Sequence, residues 1–328
     1  MPSELRKDPV TDRWVLIAPD RGARPSDFLT STTRPPVRGI CPFCPGNEDL
    51  TPDPIQVVEG PDGKWRVRVI PNRYPAVQVE VPLRREAAGI YDRVSGFGAH
   101  EVLVETPDHD LSLWELSDED RARVLAVYRD RLADLRNDRR IRWAMIFKNR
   151  GALAGATLHH EHSQLLALPQ VPLEAKARWE GARAHYARKE RCVYCDVIAF
   201  EKSEGVRMVD ESRFFVAFCP YASRAPFETW ILPREHVSHY MLVTQKDIED
   251  LADLLGRVLR RIDGALESPA VNFMLHSAPL QEPESPAFHW HLEIVPATLR
   301  YGGFEWGSGY YINPTPPEDA AAFLRSFT

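Results

Sequence analysis

The stretch His160-Glu-His162 completes a set of metal-ligand residues that begins at Cys41-Pro-Phe-Cys44 and continues through His109. The same set returns in the same order as Cys192-Val-Tyr-Cys195, His236 and His289-Trp-His291. In each copy the lone histidine stands 8 residues before a helix-capping residue, Ser117 or Thr244, and 51 or 53 residues before the paired histidines. A repeated spacing of this kind indicates an internal duplication.

Each copy offers two thiolates and a choice of imidazoles, a ligand set that suits a closed tetrahedral zinc site. The sequence therefore predicts two zinc ions per chain, one in each half. Two alternatives stay open. The Cys41–Cys44 pair has the spacing of a redox motif, and the Cys192–Cys195 pair could be a relic that binds no metal.

Length and composition favour an enzyme of two fused domains, which we place at residues 1–170 and 171–328. The net charge is −6, with both signs interspersed, so we expect no nucleic-acid partner. The sequence also has no apolar run of membrane-spanning length and no apolar leader. We therefore expect a cytoplasmic protein that does not bind membranes. Four of the five cysteines lie in the two pairs, which argues against a secreted disulfide framework.

Short strands and long helices alternate in the same order in the two halves. The periodicity predicts strands over 13–18, 65–70, 77–81, 101–105, 141–147, 214–218, 228–232, 271–275 and 288–295. Helices are predicted over 117–137, 171–188 and 244–266, with Ser117 and Thr244 as caps. This pattern predicts an α+β fold in which antiparallel sheets carry helices packed on one side.

The paired histidines of the first half have separate tasks if they lie on a strand. Alternation places His160 and His162 on one face, about 6.5 to 7 Å apart, with Glu161 on the other. That separation is too great for both to share one ion comfortably, so one binds the metal and the other is free. A free imidazole, largely unprotonated near neutral pH, is a credible nucleophile toward phosphorus.

The two halves differ around their paired histidines. The run from Phe147 to Thr157 supplies glycines, amides and hydroxyls suited to phosphate oxygens, and Ser163-Gln164 follows the first pair. In the second half Ala278 stands where Asn149 stands in the first, and Leu292-Glu293 replaces Ser163-Gln164. We therefore predict that the first half performs the chemistry and the second half is a scaffold. The lone histidines His100, His185 and His239 lack this spacing and are expected to be surface or core residues.

Over nearly its whole length the sequence resembles the galactose-1-phosphate uridylyltransferase family of the histidine-triad superfamily. The resemblance implies that His162, in a His-x-His-x-Gln strand, is the nucleophile, and that Ser163 and Gln164 donate to the transferred phosphoryl group. It implies zinc ligation by the residues Cys41, Cys44, His109 and His160. In the second half the metal site varies across the family, and the set Cys192, Cys195, His236 and His289 favours zinc.

The resemblance also implies the substrate contacts. The basic segment near the phosphates corresponds to Arg21 and Arg24, and the nucleotide-lining segment to Asn72 and Arg73. The phosphoryl surroundings correspond to Asn149, Gly155 and Thr157, and the sugar contacts to Arg300 and Glu305. The family usually forms a homodimer, so we expect one here.

The implied reaction is a two-step uridylyl transfer. His162 takes the uridylyl group from UDP-glucose, releases glucose 1-phosphate, and passes the group to galactose 1-phosphate. The segment 303–313 is similar instead to the related ADP-glucose phosphorylase branch, so phosphorolysis or adenylyl transfer on ADP-glucose by the same histidine is the alternative. A third hypothesis is a zinc-stabilised nucleotide-binding module without catalysis.

Overall fold

The computed structural model describes residues 3–19 and 40–327. Arg21 and Arg24, predicted to lie near the phosphates, fall outside the described residues. Six α-helices occur in the described part of the chain: α1 (Asp118–Leu135), α2 (Leu173–Lys189), α3 (Val193–Glu204), α4 (Gln245–Leu266), α5 (Gly303–Ser308) and α6 (Pro317–Arg325). Among these helices, none combines the length and the apolar character needed to span a membrane.

The strands of the described residues fall into three sheets. They are β1 (Glu4–Lys7), β2 (Trp14–Ile17), β3 (Gln56–Glu59), β4 (Trp65–Pro71), β5 (Arg85–Ala88), β6 (Tyr91–Val94), β7 (Ala99–Val104), β8 (Trp143–Arg150), β9 (His162–Leu168), β10 (Met208–Glu211), β11 (Phe215–Phe218), β12 (Thr229–Pro233), β13 (Val271–His276), β14 (His291–Pro296) and β15 (Tyr311–Asn313). The predicted α+β class is thereby confirmed, with antiparallel pairing between all neighbouring strands of the described residues except β2 and β15, which are parallel.

Both halves contribute to one ten-stranded sheet, in the order β10-β11-β12-β14-β13-β8-β9-β7-β4-β3. Every neighbouring pair in it is antiparallel. The two halves join where β13 pairs with β8, with Val271 opposite Arg150 and Leu275 opposite Ile146. The paired-histidine strands, β9 and β14, each lie one strand away from this seam.

The two long helices begin at the capping residues that the sequence predicts. The Ser117 hydroxyl accepts a hydrogen bond from the Asp120 N–H at the start of α1. At the start of α4, Thr244 and Asp247 form a reciprocal capping box. The apolar sides of both helices pack into one core that also includes Leu103, Ile146 and Leu165 of the sheet. One face of the sheet is thus covered by α1 and α4.

In the second half the other face of the sheet is covered as well. Alternate residues of β11 belong to different cores: Phe215 lies in the core beneath α4, whereas Val216 packs with Tyr194 and Ile198 of α3. In the first half the equivalent face carries the loop with Phe43, which packs on Ile70, Val102 and Val104. This difference decides which paired histidine borders a cavity.

The predicted strand over 77–81 is not formed. This segment makes a single isolated bridge, between Gln78 and Phe97, and the chain turns on either side of it. Pro75 and Pro82 flank the segment, and proline cannot donate to a strand ladder. Alternation of apolar residues was therefore not enough to extend the pairing.

Candidate active site and metal centres

The first Cys/His cluster brings together residues far apart in sequence. Cys41 and Cys44 lie in a turn ahead of β3, His109 follows β7, and His160 precedes β9. The Cys44 sulfur is 3.3 Å from His109 Nδ1 and 3.6 Å from His160 Nδ1, and the Cys41 sulfur is 3.6 Å from His160 Nδ1. A tetrahedral zinc ion with ordinary bond lengths separates such ligand atoms by about 3.3 to 3.8 Å. The geometry fits a four-coordinate metal.

Hydrogen bonding prepares His160 to be a ligand. Its Nε2–H donates to the carbonyl oxygen of Thr106 at 2.7 Å, so Nδ1 carries the lone pair that faces the two sulfurs. A backbone partner of this kind fixes both the tautomer and the ring orientation of a metal-binding histidine. His160 is itself fully buried.

The second cluster has the same construction. The Cys195 sulfur lies 3.5 Å from His236 Nδ1 and 3.7 Å from His289 Nδ1, and Cys192 completes the set. The Nε2–H groups of His236 and His289 donate to the carbonyl oxygens of Ser285 and Pro233, respectively. Both clusters therefore offer two sulfurs and two Nδ1 lone pairs that could hold a metal ion.

His162 borders a cavity of about 380 Å³ on the face of the sheet opposite α1. Its Nδ1–H donates to the carbonyl oxygen of His160 at 2.7 Å, which leaves the Nε2 lone pair available. Burial lowers the pKa of His162, so the ring is neutral at pH 7. The Phe43 ring packs against it with centroids 5.4 Å apart. A neutral, oriented imidazole at a cavity wall is suited to nucleophilic attack.

Several predicted site residues line the same cavity as His162, namely Asn72, Arg73, Thr157 and Gln164. Asn149 and Gly155 adjoin each other, since a Cβ built on Gly155 would lie 3.8 Å from the Asn149 amide nitrogen. The amide oxygen of Asn149 accepts from Asn272 at 2.8 Å, a contact across the seam between the halves.

Ser163 does not occupy the position predicted for it. Strand alternation turns its side chain to the opposite face, where the hydroxyl donates to the Glu105 carboxylate and lies 2.6 Å from the Tyr128 hydroxyl. The expectation that the Ser163 hydroxyl donates to the phosphoryl group is corrected by this placement. Gln164, one residue later, faces the cavity.

Arg300 and Glu305 do not line the His162 cavity of their own chain. The Glu305 carboxylate accepts a hydrogen bond from the Gly302 N–H at 2.9 Å and so caps α5. Arg300 is exposed. Within one chain, the structure does not bring these two predicted sugar contacts to the nucleophile.

A buried network of charged side chains lies next to β9, on the face of the sheet that α1 covers. The Lys148 ammonium donates to Glu105 at 2.6 Å, to Glu161 at 2.8 Å and to the carbonyl oxygen of His162 at 3.1 Å. Burial opposes the charge on Lys148, but the two carboxylates outweigh it and raise its pKa. The same lysine lowers the pKa of Glu161 against the effect of burial. Lys148 and Glu161 are therefore charged, and the bonds of Lys148 to Glu161, Glu105 and the His162 carbonyl anchor the strand that carries the nucleophile.

His291, the counterpart of His162, has no access to solvent. Its ring stacks on Trp230 and on His276, with centroids 5.1 and 4.8 Å apart. His276 also lies 3.0 Å from Glu293, and this carboxylate is paired with Arg178 of α2 at 2.8 Å. Stacked rings and a charge-balanced carboxylate thus surround His291 where a cavity borders His162.

Sequence analysis did not single out Phe43, Lys148 or His100 as parts of the site. Lys148 could have been suspected, because a lysine inside a predicted buried strand needs a charged partner. Phe43 stood in the metal motif, but its packing on His162 depends on how the Cys41 loop folds back. His100 contacts Gln164 across two strands, which no local spacing reveals.

Residues 1–172 match the galactose-1-phosphate uridyl transferase N-terminal domain, and residues 179–304 match the C-terminal domain of the same name. An ADP-glucose phosphorylase from Arabidopsis thaliana is 38% identical over 328 residues, which cover 98% of this chain and 92% of that protein. A galactose-1-phosphate uridylyltransferase from Thermotoga maritima is 29% identical over 331 residues and 98% of each chain. The crystal structure of an Arabidopsis thaliana ADP-glucose phosphorylase with bound ADP-glucose has a TM-score of 0.85 and 34% identity, covering 100% of this chain and 99% of that one.

Proposed function

This chain belongs to the galactose-1-phosphate uridyl transferase family and is a nucleotidyltransferase, and we propose that it transfers the adenylyl group of ADP-glucose to inorganic phosphate. The sequence motifs favoured UDP-glucose and galactose 1-phosphate, with ADP-glucose phosphorolysis as the alternative. The relatives support the alternative better, because identity to the ADP-glucose phosphorylase is 38% against 29% to the uridylyltransferase, at the same coverage of this chain.

The observation that carries the mechanism is the hydrogen bond from His162 Nδ1–H to the carbonyl oxygen of His160. It leaves Nε2 as the attacking atom at the cavity wall. In the first step Nε2 bonds to the α-phosphorus of ADP-glucose, and the bond from that phosphorus to the bridging oxygen breaks. Glucose 1-phosphate leaves with the electron pair. The His160 carbonyl stabilises the positive charge that the ring then carries.

In the second step an oxygen of inorganic phosphate attacks the same phosphorus. The phosphorus–Nε2 bond breaks, ADP leaves, and His162 returns to its neutral state with Nδ1–H still on the His160 carbonyl. Gln164 is our choice for the residue that donates to the transferred phosphoryl group, because it lines the cavity on the same strand face as His162. The two steps together convert ADP-glucose and phosphate into glucose 1-phosphate and ADP.

We propose zinc in both Cys/His clusters, since two thiolates and two imidazoles form a donor set typical of structural zinc. Zinc bound to the first cluster would supply a structural cross-link. Cys41, Cys44 and His109 would then be tied to His160, whose carbonyl oxygen orients the nucleophile. The fit rests on the sulfur–nitrogen distances and on the Nε2–H donors that fix the ligand tautomers.

We also propose a homodimer in which Arg300 and Glu305 of one copy contact the sugar in the cavity of the other. Neither residue lines the cavity of its own chain, which supports this arrangement. Mixing inactive His162→Ala and Glu305→Ala chains should restore activity, because a mixed dimer contains one intact site. Light scattering that gives a monomer, or a mixture that stays inactive, would contradict the proposal.

Intact-mass measurement after brief incubation with each nucleotide sugar tests the reaction. We expect the wild-type chain to gain one adenylyl group from ADP-glucose, and His162→Ala to gain nothing. His185→Ala is the matched control and should label normally, because the His185 ring contacts Asp196 and does not line the cavity. A uridylyl adduct from UDP-glucose with no adenylyl adduct would overturn the choice of base. Absence of any adduct would overturn the covalent mechanism.

A further inference from the structure

His100 and Gln164 meet on the cavity face of the sheet. In the pairing of β7 with β9, Val102 lies opposite Gln164 and His100 lies opposite Leu166, so His100 and Gln164 are diagonal neighbours on one face. His100 Nε2 is 2.9 Å from the Gln164 side-chain oxygen. The contact links β7, which carries His100, to Gln164, the residue proposed to face the transferred group.

The backbone of a neighbouring loop decides which His100 nitrogen carries the proton. The Ala76 N–H donates to His100 Nδ1 at 3.1 Å, so Nδ1 must be the acceptor. A neutral imidazole with Nδ1 as acceptor has its hydrogen on Nε2. Nε2–H therefore donates to Gln164.

That donor also decides how the Gln164 amide is turned. An amide has an accepting oxygen and a donating NH₂ group, and the two orientations differ in which of them faces the cavity. Because the oxygen accepts from His100, the NH₂ group is the end left for the cavity that His162 also lines. An NH₂ group stabilises phosphoryl oxygens, whereas an amide oxygen would repel them.

The same histidine is held by the loop predicted to line the nucleotide. The Asn72 backbone N–H donates to the His100 carbonyl oxygen at 2.8 Å, whereas the Asn72 side-chain NH₂ group, 3.2 Å from the Nε2–H of His100, meets another donor and makes no hydrogen bond there. Asn72 and Arg73 line the cavity together with Gln164. The loop, His100 and Gln164 thus form one connected unit.

We propose that His100 is a positioning residue, which fixes the Gln164 amide so that its NH₂ group points at the transferred phosphoryl group. This inference rests on the proposed function, since it needs Gln164 to act in nucleotidyl transfer. His100 does not touch the reacting atoms and acts through Gln164. Its loss should slow the chemical step more than it weakens nucleotide binding.

Two substitutions of His100 distinguish the role of its Nε2–H donor, which faces Gln164, from that of its Nδ1 acceptor, which faces the Ala76 N–H. His100→Gln can place an N–H group near the position of Nε2, whereas His100→Asn reaches only as far as Nδ1 and loses the donor to Gln164. We expect His100→Asn to slow formation of the His162 adduct from ADP-glucose by about 10-fold to 10²-fold, less than the roughly 10²-fold to 10³-fold cost of removing a transition-state donor outright. KM should change less than about 3-fold, and His100→Gln should recover most of the rate.

A double-mutant cycle with Gln164→Ala distinguishes this role from general structural support. In that background His100→Asn should have no further effect on the rate, because the residue that it positions is gone. Gln164→Glu is a second probe, which does not depend on the folding of His100 variants. Its carboxylate can still accept from His100 but offers no NH₂ group and turns an oxygen toward the phosphoryl group, so the rate should fall at least to the level of Gln164→Ala.

The outcomes are separable from those of the proposed function. A wild-type chain that forms no adduct with either nucleotide sugar overturns both proposals. A labelling wild-type chain together with His100→Asn at the wild-type rate overturns the His100 proposal alone. The same holds if His100→Asn and Gln164→Ala slow labelling additively, or if Gln164→Glu keeps the wild-type rate.

Discussion

The Lys148 ammonium lies 2.8 Å from the carboxylate of Glu161, the residue that separates the two paired histidines. The pair is buried on the side of the sheet that α1 covers, whereas the histidines face the other side. Lys148 also bonds to Glu105 and to the carbonyl oxygen of His162. The ionic network on one face of β9 therefore helps to fix the position of His162, whose ring lies on the other face.

Replacing Lys148 by Met should destabilise the fold strongly. The change leaves Glu105 and Glu161 buried without their cation, and breaking a buried pair in this way costs about 3 to 5 kcal/mol. Urea denaturation measures the loss. Lys202→Met, on an exposed lysine, is the control and should stay within about 0.5 kcal/mol of wild type. Equal midpoints for the two variants would show that the network contributes no net stability.

Replacing His162 by Ala should remove activity and spare stability, whereas replacing His291 by Ala should lower stability and spare activity. His162→Ala is expected to abolish nucleotidyl transfer while leaving the unfolding free energy close to wild type. His291→Ala opens a cavity between Trp230 and His276, so it should cost about 2 to 4 kcal/mol while the transfer rate stays within a few-fold. A His291→Ala chain that is stable but inactive would assign His291 a catalytic role.

Loss of the first proposed metal site should lower the transfer rate, whereas loss of the second should affect mainly stability. Cys41→Ser removes a ligand beside the strand that carries His162, so zinc content, stability and transfer rate should all fall. Cys192→Ser should lower zinc content and thermal stability and largely spare the rate. Elemental analysis is the measurement, with two zinc ions per wild-type chain expected. One zinc per chain, unchanged in Cys192→Ser, would show that the second cluster binds no metal.

Glu318 should make the stability depend on pH. Burial alone would raise its pKa, but Arg6 and Arg207, each 2.8 Å away, outweigh burial and lower it. A carboxyl with a depressed pKa in the folded state stabilises the fold above its unfolded pKa of about 4.3, and this stability is lost as pH falls through the folded value.

Glu318→Gln should therefore be less stable than wild type at pH 7, with the difference shrinking below about pH 4. Thermal unfolding at a series of pH values provides the comparison. Glu204→Gln, an exposed carboxylate on α3, should show no such trend. A difference between wild type and Glu318→Gln that is constant across pH would mean that the charge of Glu318 is not what stabilises the contact.

The sequence by itself determined the duplication, the two Cys/His ligand sets and the separation of His160 and His162 from Glu161. These follow from a repeated spacing along the chain and from the two-residue period of a strand, and both can be recognised without knowing how distant segments pack. The caps at Ser117 and Thr244 were predictable for the same reason. The predicted strand over 77–81 did not form, because prolines flank the segment and its pairing stops at the single bridge between Gln78 and Phe97.

The sequence indicated that the first half performs the chemistry, but only the tertiary structure shows what keeps a cavity open beside His162. His162 and His291 hold equivalent places in the two copies of the motif, but α2 and α3 cover the face that carries His291 and leave the face that carries His162 to a loop and a cavity. The His100–Gln164 bond, spanning 64 residues, and the burial of Ser163 against Tyr128 likewise depend on strand order and on the face each helix covers. Packing between distant segments is set by the whole chain at once, so no spacing within one segment encodes it.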